Sequence, residues 1–338
     1  MELITARERF AFTVAASFDE LDKSNKEWER LWRLCPRATP FQAPGWLLPY
    51  IRIFKPELLR ALLVWRDEVL VGLFPFFIDE TGATRVLRLL GDGLSDYLDG
   101  LCREEDRAEV SSLVEVWLAD TLECCEYAEF TQLREGAVLS TIPRPNVFHE
   151  EVYPGIRCPA VVLPPPSRAG ELPISVSTLR NIELSLRQLK KLGAIGFEVA
   201  DTSSVDDAIS NLFLLHAKRW QRRGLPGVFD TEQKQTFYRQ AFHELKQSSA
   251  AELFTLYLEK TPLASLAALR KDRNLYYYIG AFDPEYARFG PGNLMIHYAI
   301  KFAAKNGCEL FDFLRGCEPY KYKWGAKDQE ITVRRIWK

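Results

Sequence analysis

The chain has 338 residues, of which 47% are hydrophobic and 27% charged, and its formal net charge is −2. This length predicts two domains with substantial cores. The near-neutral charge argues against a global attraction to nucleic acid or to an anionic membrane, and no apolar run is long enough to predict a membrane span.

The cysteines and the start of the chain indicate where the protein works. Seven cysteines without paired spacing are expected to be reduced thiols, with neither a disulfide framework nor a metal site. The first residues, MELITARERF, are charged and lack the apolar core of a signal peptide. We therefore expect a cytoplasmic protein.

The first half of the chain predicts helices followed by strands. Ser17 is a candidate N-cap for a helix that runs to about Leu34, and Pro44 begins a second helix. A hairpin, a third strand, an amphipathic helix and a fourth strand follow: Leu58–Trp65, Val69–Phe77, Arg85–Leu90, Asp106–Glu123 and Tyr127–Leu133.

The middle of the chain reads as a linker. Residues 143–173 hold eight prolines, although the apolar stretch Gly155–Leu163 predicts a strand within them. A helix is expected over Thr178–Leu192. Its basic side chains are more typical of a solvated face than of an RNA contact.

The second half repeats the order of the first. A strand, two helices and three strands are predicted, and after a Gly-Pro-Gly turn a helix, a strand and a last strand: Gly196–Ala200, Val205–Arg222, Thr231–Lys246, Glu252–Leu258, Pro262–Arg270, Leu275–Phe282, Leu294–Lys305, Leu310–Leu314 and Glu330–Trp337. The recurring order predicts a distant internal duplication. The first half has no glycine turn directly before its helix.

The turn Gly290-Pro291-Gly292 is a candidate phosphate site. A helix that begins there presents unpaired backbone N–H groups and a partial positive charge, and Arg288 could add a full charge. The alternative is a plain surface turn before a core helix. Taken alone, the turn favours that alternative.

The order of these elements resembles the GNAT acyltransferase fold. The stretches HAKRWQRRG (His216–Gly224), GPGNLMIHYAIKFAAKNG (Gly290–Gly307) and DFLRGCEPYKYKWG (Asp312–Gly325) resemble the CelD-like, cellulose-biosynthesis-associated acetyltransferases, which are relatives of the Fem peptidyltransferases. The resemblance extends over roughly residues 41–337 and is most specific in the last stretch.

The resemblance implies a fold of the α+β class. Tandem duplicated GNAT-like domains are expected, each a mixed, mostly antiparallel sheet flanked by helices. Residues 1–165 would form a degenerate domain that shapes the acceptor cleft, and residues 166–338 a domain that binds acyl-CoA. The last strand could return to the first domain.

The implied function is N-acyl transfer from acetyl-CoA or another acyl-CoA to an amine, by direct attack in a ternary complex and without a metal. The acceptor would be a small molecule, a sugar or an envelope precursor, with no nucleic acid as partner. Two alternatives stay open: an aminoacyl-tRNA-dependent transferase like the Fem enzymes, and a non-catalytic binding module. The acceptor, the acyl chain length and the oligomeric state are not predicted.

The resemblance also places the cofactor. The turn residues Arg288, Gly290, Gly292 and Asn293 would hold its phosphates. In the GNAT fold the cofactor enters between two splayed strands, here Leu275–Phe282 and Leu310–Leu314. Backbone groups of the first of these, at Tyr278 and Ile279, would polarise the thioester.

Three residues are candidates for proton transfer. Asp312 lies within an apolar strand, where an ionisable group is costly unless it is used or paired, so it could be a general base or bind the substrate ammonium. A buried salt bridge to Arg315 is the equal alternative. Glu318 is a second candidate base. Tyr320 could protonate the departing thiolate, as a tyrosine does in many GNAT enzymes, or it could simply pack in the core.

Five residues are candidates for substrate binding. Arg315 could bind a carboxylate or phosphate, with ion pairing to Asp312 or Glu318 as the alternative. Lys321 could meet the cofactor phosphates or an acidic substrate, with ordinary surface charge as the alternative. Asp96 and Tyr97 could face the acceptor, or form a turn held by aspartates. Trp220 shares a helical face with His216 and Arg219 and could border the acceptor, or pack on the sheet.

Overall fold

The computed structural model describes residues 9–168 and 170–338. The chain divides into two compact units, of which one holds the residues up to Ile156 together with Glu330–Lys338, and the other holds Arg157–Gln329. The chain was expected to divide between residues 165 and 166, whereas the observed division falls between Ile156 and Arg157. The first eight residues, on which the expectation about a signal peptide rests, lie outside the described part.

Each unit contains both strands and α-helices. The strands are β1 (Phe10–Ala15), β2 (Leu58–Arg66), β3 (Val69–Asp79), β4 (Val86–Leu89), β5 (Leu101–Cys102), β6 (Tyr127–Arg134), β7 (His149–Pro154), β8 (Cys158–Val162), β9 (Ile195–Val199), β10 (Ala251–Leu258), β11 (Thr261–Lys271), β12 (Asn274–Phe282), β13 (Leu310–Asp312), β14 (Lys327–Gln329) and β15 (Ile331–Trp337). The helices are α1 (Phe18–Asp22), α2 (Asn25–Leu34), α3 (Pro44–Phe54), α4 (Arg107–Thr121), α5 (Val138–Thr141), α6 (Val176–Lys190), α7 (Val205–Gln221), α8 (Glu232–Gln247), α9 (Pro291–Lys305) and α10 (Pro319–Tyr322).

The sheets of the two units follow the same plan. In the first unit the strand order is β1-β2-β3-β4-β6-β15-β7, and in the second it is β14-β8-β13-β12-β11-β10-β9. Each sheet has four consecutive antiparallel strands, then a parallel neighbour that follows a helix, α4 or α9. Two further antiparallel strands complete each sheet. The predicted α+β fold with two mixed, mostly antiparallel sheets is confirmed.

Two predicted elements are shorter or divided. The helix expected from Phe18 to about Leu34 is capped by the Ser17 hydroxyl as predicted, but it is split into α1 and α2. The division falls at Lys23 and Ser24, and Ser24 is the N-cap of α2, a position that serine favours. The strand expected over Leu310–Leu314 ends at Asp312, because Leu314 has a left-handed backbone with φ of 57°.

The structure also contains strands that the sequence patterns did not predict. β1 is the outer strand of the first sheet, and β14 pairs with β8 at the edge of the second. The last strand, β15, belongs to the first unit, where it lies between β6 and β7. It therefore returns to the N-terminal half of the chain.

Strands β12 and β13 separate after three residues. They pair in parallel only over Asn274–Tyr276 and Leu310–Asp312, so the rest of β12 pairs on one side only, with β11. The register between β11 and β12 shifts where Ala267 faces Ile279 and Ala268 faces Tyr277, which makes Tyr278 a bulged residue. The bulge brings Tyr277 to the same side of the strand as Gly280, although their odd spacing would otherwise place them on opposite faces.

We predict that the returning strand stabilises the first unit. Ile336 is fully buried in β15, so Ile336→Ala should lower the free energy of unfolding by about 2–5 kcal/mol through lost burial and the cavity that remains. Urea denaturation measures this change. Thr332→Ala on the same strand, at a half-buried site, is the control, and equal unfolding midpoints for the two variants would contradict the prediction.

Candidate active site

The start of α9 has one free backbone donor. Gly290 is its N-cap in a left-handed conformation, with φ of 62°, and its carbonyl accepts the N–H groups of Asn293 and Leu294 at 3.0 and 3.1 Å. Pro291 has no N–H. The N–H of Gly292 has no acceptor among residues 9–168 and 170–338. The turn therefore offers one unpaired amide and the helix dipole, which is fewer donors than the sequence suggested.

Polar side chains lie beside this turn. A Cβ built at Gly290 would lie 3.4 Å from the Ser185 hydroxyl and 3.8 Å from Asn293 Nδ2. A Cβ at Gly292 would lie 3.1 Å from the ring of Phe282. Ser185, on α6, was not predicted from the sequence, because nothing in its spacing connects it to the turn. Arg288 is exposed and lies over the ring of Phe289, 4.6 Å from its centroid, outside the cavity described next.

A cavity of about 270 Å³ lies within the second unit, between β12, the glycine turn, α7 and α10. The predicted residues Gly290, Gly292, Asn293 and Tyr320 are in its wall. None of the described side chains that line it carries a carboxylate.

Two tyrosines, Tyr277 and Tyr320, contribute hydroxyl groups to the cavity wall. Burial raises the pKa of Tyr277 to about 12. Burial also raises the pKa of Tyr320, and Tyr277 and Glu318 act in the same direction. Both hydroxyls therefore keep their protons at neutral pH. The Tyr277 hydroxyl covers Gly280 so closely that a Cβ at that glycine would lie 2.0 Å from it.

Arg219 and Trp220 were expected on one face of α7, but only Arg219 of the two lines the cavity. Arg219 Nη1 donates to the Gly280 carbonyl at 3.3 Å, and the guanidinium lies 4.9 Å from the ring centroid of Phe282. Trp220 packs near His216 and Arg223 instead. Burial lowers the pKa of His216 to about 4, so this imidazole is neutral.

The backbone amides on the unpaired edge of β12 are not the ones that were predicted, at Tyr278 and Ile279. The Asp283 N–H bonds to the Leu263 carbonyl, so the alternation along the strand points the Ile279 N–H toward β11 as well. The amides of Gly280 and Phe282 face the open edge. The Tyr278 side chain lies outside the cavity, with its hydroxyl 3.1 Å from that of Tyr238.

Asp312 is used by the fold. It is fully buried, and its carboxylate accepts the Leu314 N–H at 2.8 Å and the Gln329 amide at 2.9 Å. Because both oxygens are bonded and the residue is not in the cavity wall, its position does not support the predicted role as general base.

Lys321 is also structural, contrary to the prediction of a substrate contact. Its side chain is 3% exposed, and its ammonium donates to the carbonyls of Leu314, Arg315 and Gly316 at 3.1, 2.6 and 2.9 Å. Glu318 completes this arrangement with an ion pair at 3.0 Å. Arg315 and Glu318 both lie outside the cavity wall.

The two candidates in the first unit are held by its own residues. Tyr97 is buried beneath the guanidinium of Arg134, at 4.9 Å, and its carbonyl accepts from Gln42. The Asp96 carbonyl accepts from Gln132 at 3.2 Å. The Tyr97 side chain is therefore enclosed by residues of the first unit, and its contact with substrate stays a prediction.

We predict that Lys321→Met lowers the free energy of unfolding by about 3 kcal/mol, because it leaves three carbonyls without their shared donor. Urea denaturation gives the measurement. Lys323→Met, at an exposed site nearby, is the matched control and should change stability little. A Lys321 variant as stable as this control would show that the ammonium is dispensable.

Over the described ranges, no three His, Cys, Asp or Glu residues are grouped so that they could hold a metal ion. In the same part of the chain, every helix is too short or too polar to cross a bilayer.

Known proteins were compared by sequence and by fold. The family described as "Acetyltransferase (GNAT) domain" matches residues 177–322. No curated protein sequence matches the chain.

Solved structures resemble the chain over most of its length. FemX has a TM-score of 0.66 at 12% identity, covering 92% of this chain and 95% of its own. L-PGS from Bacillus licheniformis has a TM-score of 0.53 at 11% identity, covering 78% and 80%. A conserved protein of unknown function from Bacteroides thetaiotaomicron has a TM-score of 0.58 at 10% identity, covering 98% and 100%. Residues 177–322 thus match the acetyltransferase (GNAT) domain family, within a fold that the chain shares with FemX.

Proposed function

We propose that the protein is an acyl-CoA-dependent N-acyltransferase of the CelD-like type, which uses acetyl-CoA or another acyl-CoA and transfers the acyl group directly to an amine. The observation that carries this proposal is the cavity that joins the open edge of β12 to the glycine turn of α9. As acceptor we propose an amine of a small molecule, a sugar or an envelope precursor, in the cytoplasm. The near-neutral net charge is consistent with such partners.

The residues at the turn suit a diphosphate. Gly292 has an unpaired N–H and no Cβ, so a phosphate oxygen can approach its backbone. The Ser185 hydroxyl and the Asn293 amide lie close enough to the turn to add donors. The volume of about 270 Å³ is at the small end for a ligand site, which suits the thioester arm of the cofactor better than its nucleotide.

The remaining residues of the wall have chemical roles. Bound acyl-CoA supplies a thioester carbonyl and a thiolate leaving group. The amides of Gly280 and Phe282 face the open edge and can donate to a carbonyl oxygen as it becomes negative. The Tyr320 hydroxyl is protonated at neutral pH and can give its proton to the thiolate. Because no carboxylate lines the described cavity, the proton of the attacking amine is expected to leave to solvent.

We predict that Gly292→Val weakens the binding of CoA by about tenfold or more, because the added methyl groups would fill the space between the turn and Phe282. Isothermal titration calorimetry measures this change. Gly170→Val, where an added Cβ meets nothing within 4 Å, is the control. Unchanged affinity in the Gly292 variant would place the cofactor elsewhere.

We also predict that Tyr320→Phe lowers kcat by about 100-fold with little change in CoA affinity, because it removes the proton donor and keeps the ring. A free-thiol assay over a panel of amines measures turnover. Tyr322→Phe is the matched control, since that hydroxyl is exposed and bonds to Asp328 at 2.7 Å. Equal rates for the two variants would rule out Tyr320 as the donor.

A second candidate is an aminoacyl-tRNA-dependent transferase like the Fem enzymes, which the fold likeness to FemX favours. Calorimetry with acetyl-CoA separates the two candidates. Binding supports the acyl-CoA proposal, and no binding at millimolar concentration supports the alternative.

A further inference from the structure

Arg219 places an uncompensated positive charge in the wall of the cavity. It forms no ion pair with any carboxylate of residues 9–168 and 170–338, and the Gly280 carbonyl, at 3.3 Å, is its hydrogen-bond acceptor. Its Nε is buried and has no acceptor within those residues. A guanidinium has five N–H donors, so most of this group's bonding capacity is not used by the fold.

The other cations of the same helix end are satisfied differently. Lys218 pairs with the buried Asp283 at 2.7 Å. Arg222 donates to the Pro284 carbonyl at 2.9 Å. Arg223 lies over the ring of Trp220. Among these four neighbouring cations, Arg219 is the one that lines the cavity.

The surroundings of Arg219 do not neutralise it. Burial lowers the pKa of the guanidinium, and Arg223 acts in the same direction. The nearby hydroxyls of Tyr277 and Tyr320 keep their protons, because burial raises both pKa values. Glu318 is engaged by Lys321. The face of Phe282 contributes attraction but no charge.

We infer that Arg219 receives a carboxylate of the substrate, so that the transferase acts on carboxylate-bearing molecules. This inference rests on the proposed function and names its substrate class. A planar guanidinium matches a carboxylate in shape, and a single cation balances one negative charge better than the two of a phosphate. The carboxylate could belong to the acceptor, as in an amino acid, or to a dicarboxylic acyl group.

The anion site can be tested without turnover. The ¹⁵N–¹H NMR signal of Arg219 Nε can be assigned with the Arg219→Lys variant. This signal should shift on addition of acetate and should not shift with acetamide. The corresponding signal of Arg223 should not shift with acetate. No shift with acetate, or an equal shift with acetamide, would overturn the inference. A larger shift with inorganic phosphate than with acetate would overturn the choice of carboxylate.

Turnover separates the two sources of the carboxylate. With acetyl-CoA, amino acids should react about 10- to 100-fold faster than their amides if the acceptor carries the group. With simple amines, succinyl-CoA should exceed acetyl-CoA by the same factor if the acyl chain carries it. Arg219→Met should abolish whichever preference exists, and the matched Arg223→Met should keep it.

Other outcomes count against specific claims. If Arg219→Met lowers all rates equally, then Arg219 acts on the thioester and the inference is wrong. If acetate shifts the Arg219 signal but acetyl-CoA does not bind, the proposed function fails while the anion site stands. If acetyl-CoA binds but acetate does not shift the Arg219 signal, the anion site fails while the proposed function stands.

Discussion

The shape of the candidate site depends on two buried charged side chains that hold the backbone of one residue. The Asp312 carboxylate accepts the N–H of Leu314, and the Lys321 ammonium donates to its carbonyl. Leu314 is thereby kept in a left-handed conformation that costs an ordinary residue free energy. The chain leaves the sheet at this point, so β13 ends and the neighbouring edge of β12 stays open. The same arrangement sets the position of Tyr320, which directly precedes Lys321.

The cavity combines one cation with neutral hydroxyl groups. Arg219 lowers the pKa of Tyr277 and of Tyr320, whereas burial raises both and is the larger effect. Without burial, a nearby cation would favour the tyrosinate. The low-dielectric surroundings therefore keep both hydroxyls protonated beside a positive charge, and the cation remains free to attract an anionic group of a ligand.

Local patterns predicted much of the fold. The ends of β10, β11 and β12 lie within one residue of their predicted bounds, because turn residues and apolar alternation mark both ends of each strand. The destination of β8 was not predicted, and the return of β15 to the first unit was one of two possibilities, since strand pairing over long separations leaves no local signal. β1 was missed altogether.

The candidate site shows where such reasoning fails. The sequence marked Asp312 as costly unless used or paired, but it gave no sign that Lys321 is buried. A buried polar residue can serve backbone groups as well as a substrate. The spacing of Arg219 and Trp220 placed both near one helical face and could not decide which would reach a cavity. Tyr277 lies on the same side of the strand as Gly280 only because of the bulge at Tyr278, which the sequence pattern did not reveal. Gly290 and Gly292 were predicted because a Gly-Pro-Gly turn that opens a helix presents unpaired backbone N–H groups.

The return of β15 has a consequence for synthesis on the ribosome. The first unit is discontinuous in sequence, since Arg157–Gln329 is inserted between β7 and β15, which are adjacent strands. Until Ile331–Trp337 emerge, β6 and β7 lack the strand that lies between them, and their edges are open to wrong partners. The inserted unit, whose first and last strands pair at Cys158 and Gln329, can close on itself earlier. The nascent chain is therefore expected to complete its second sheet before its first.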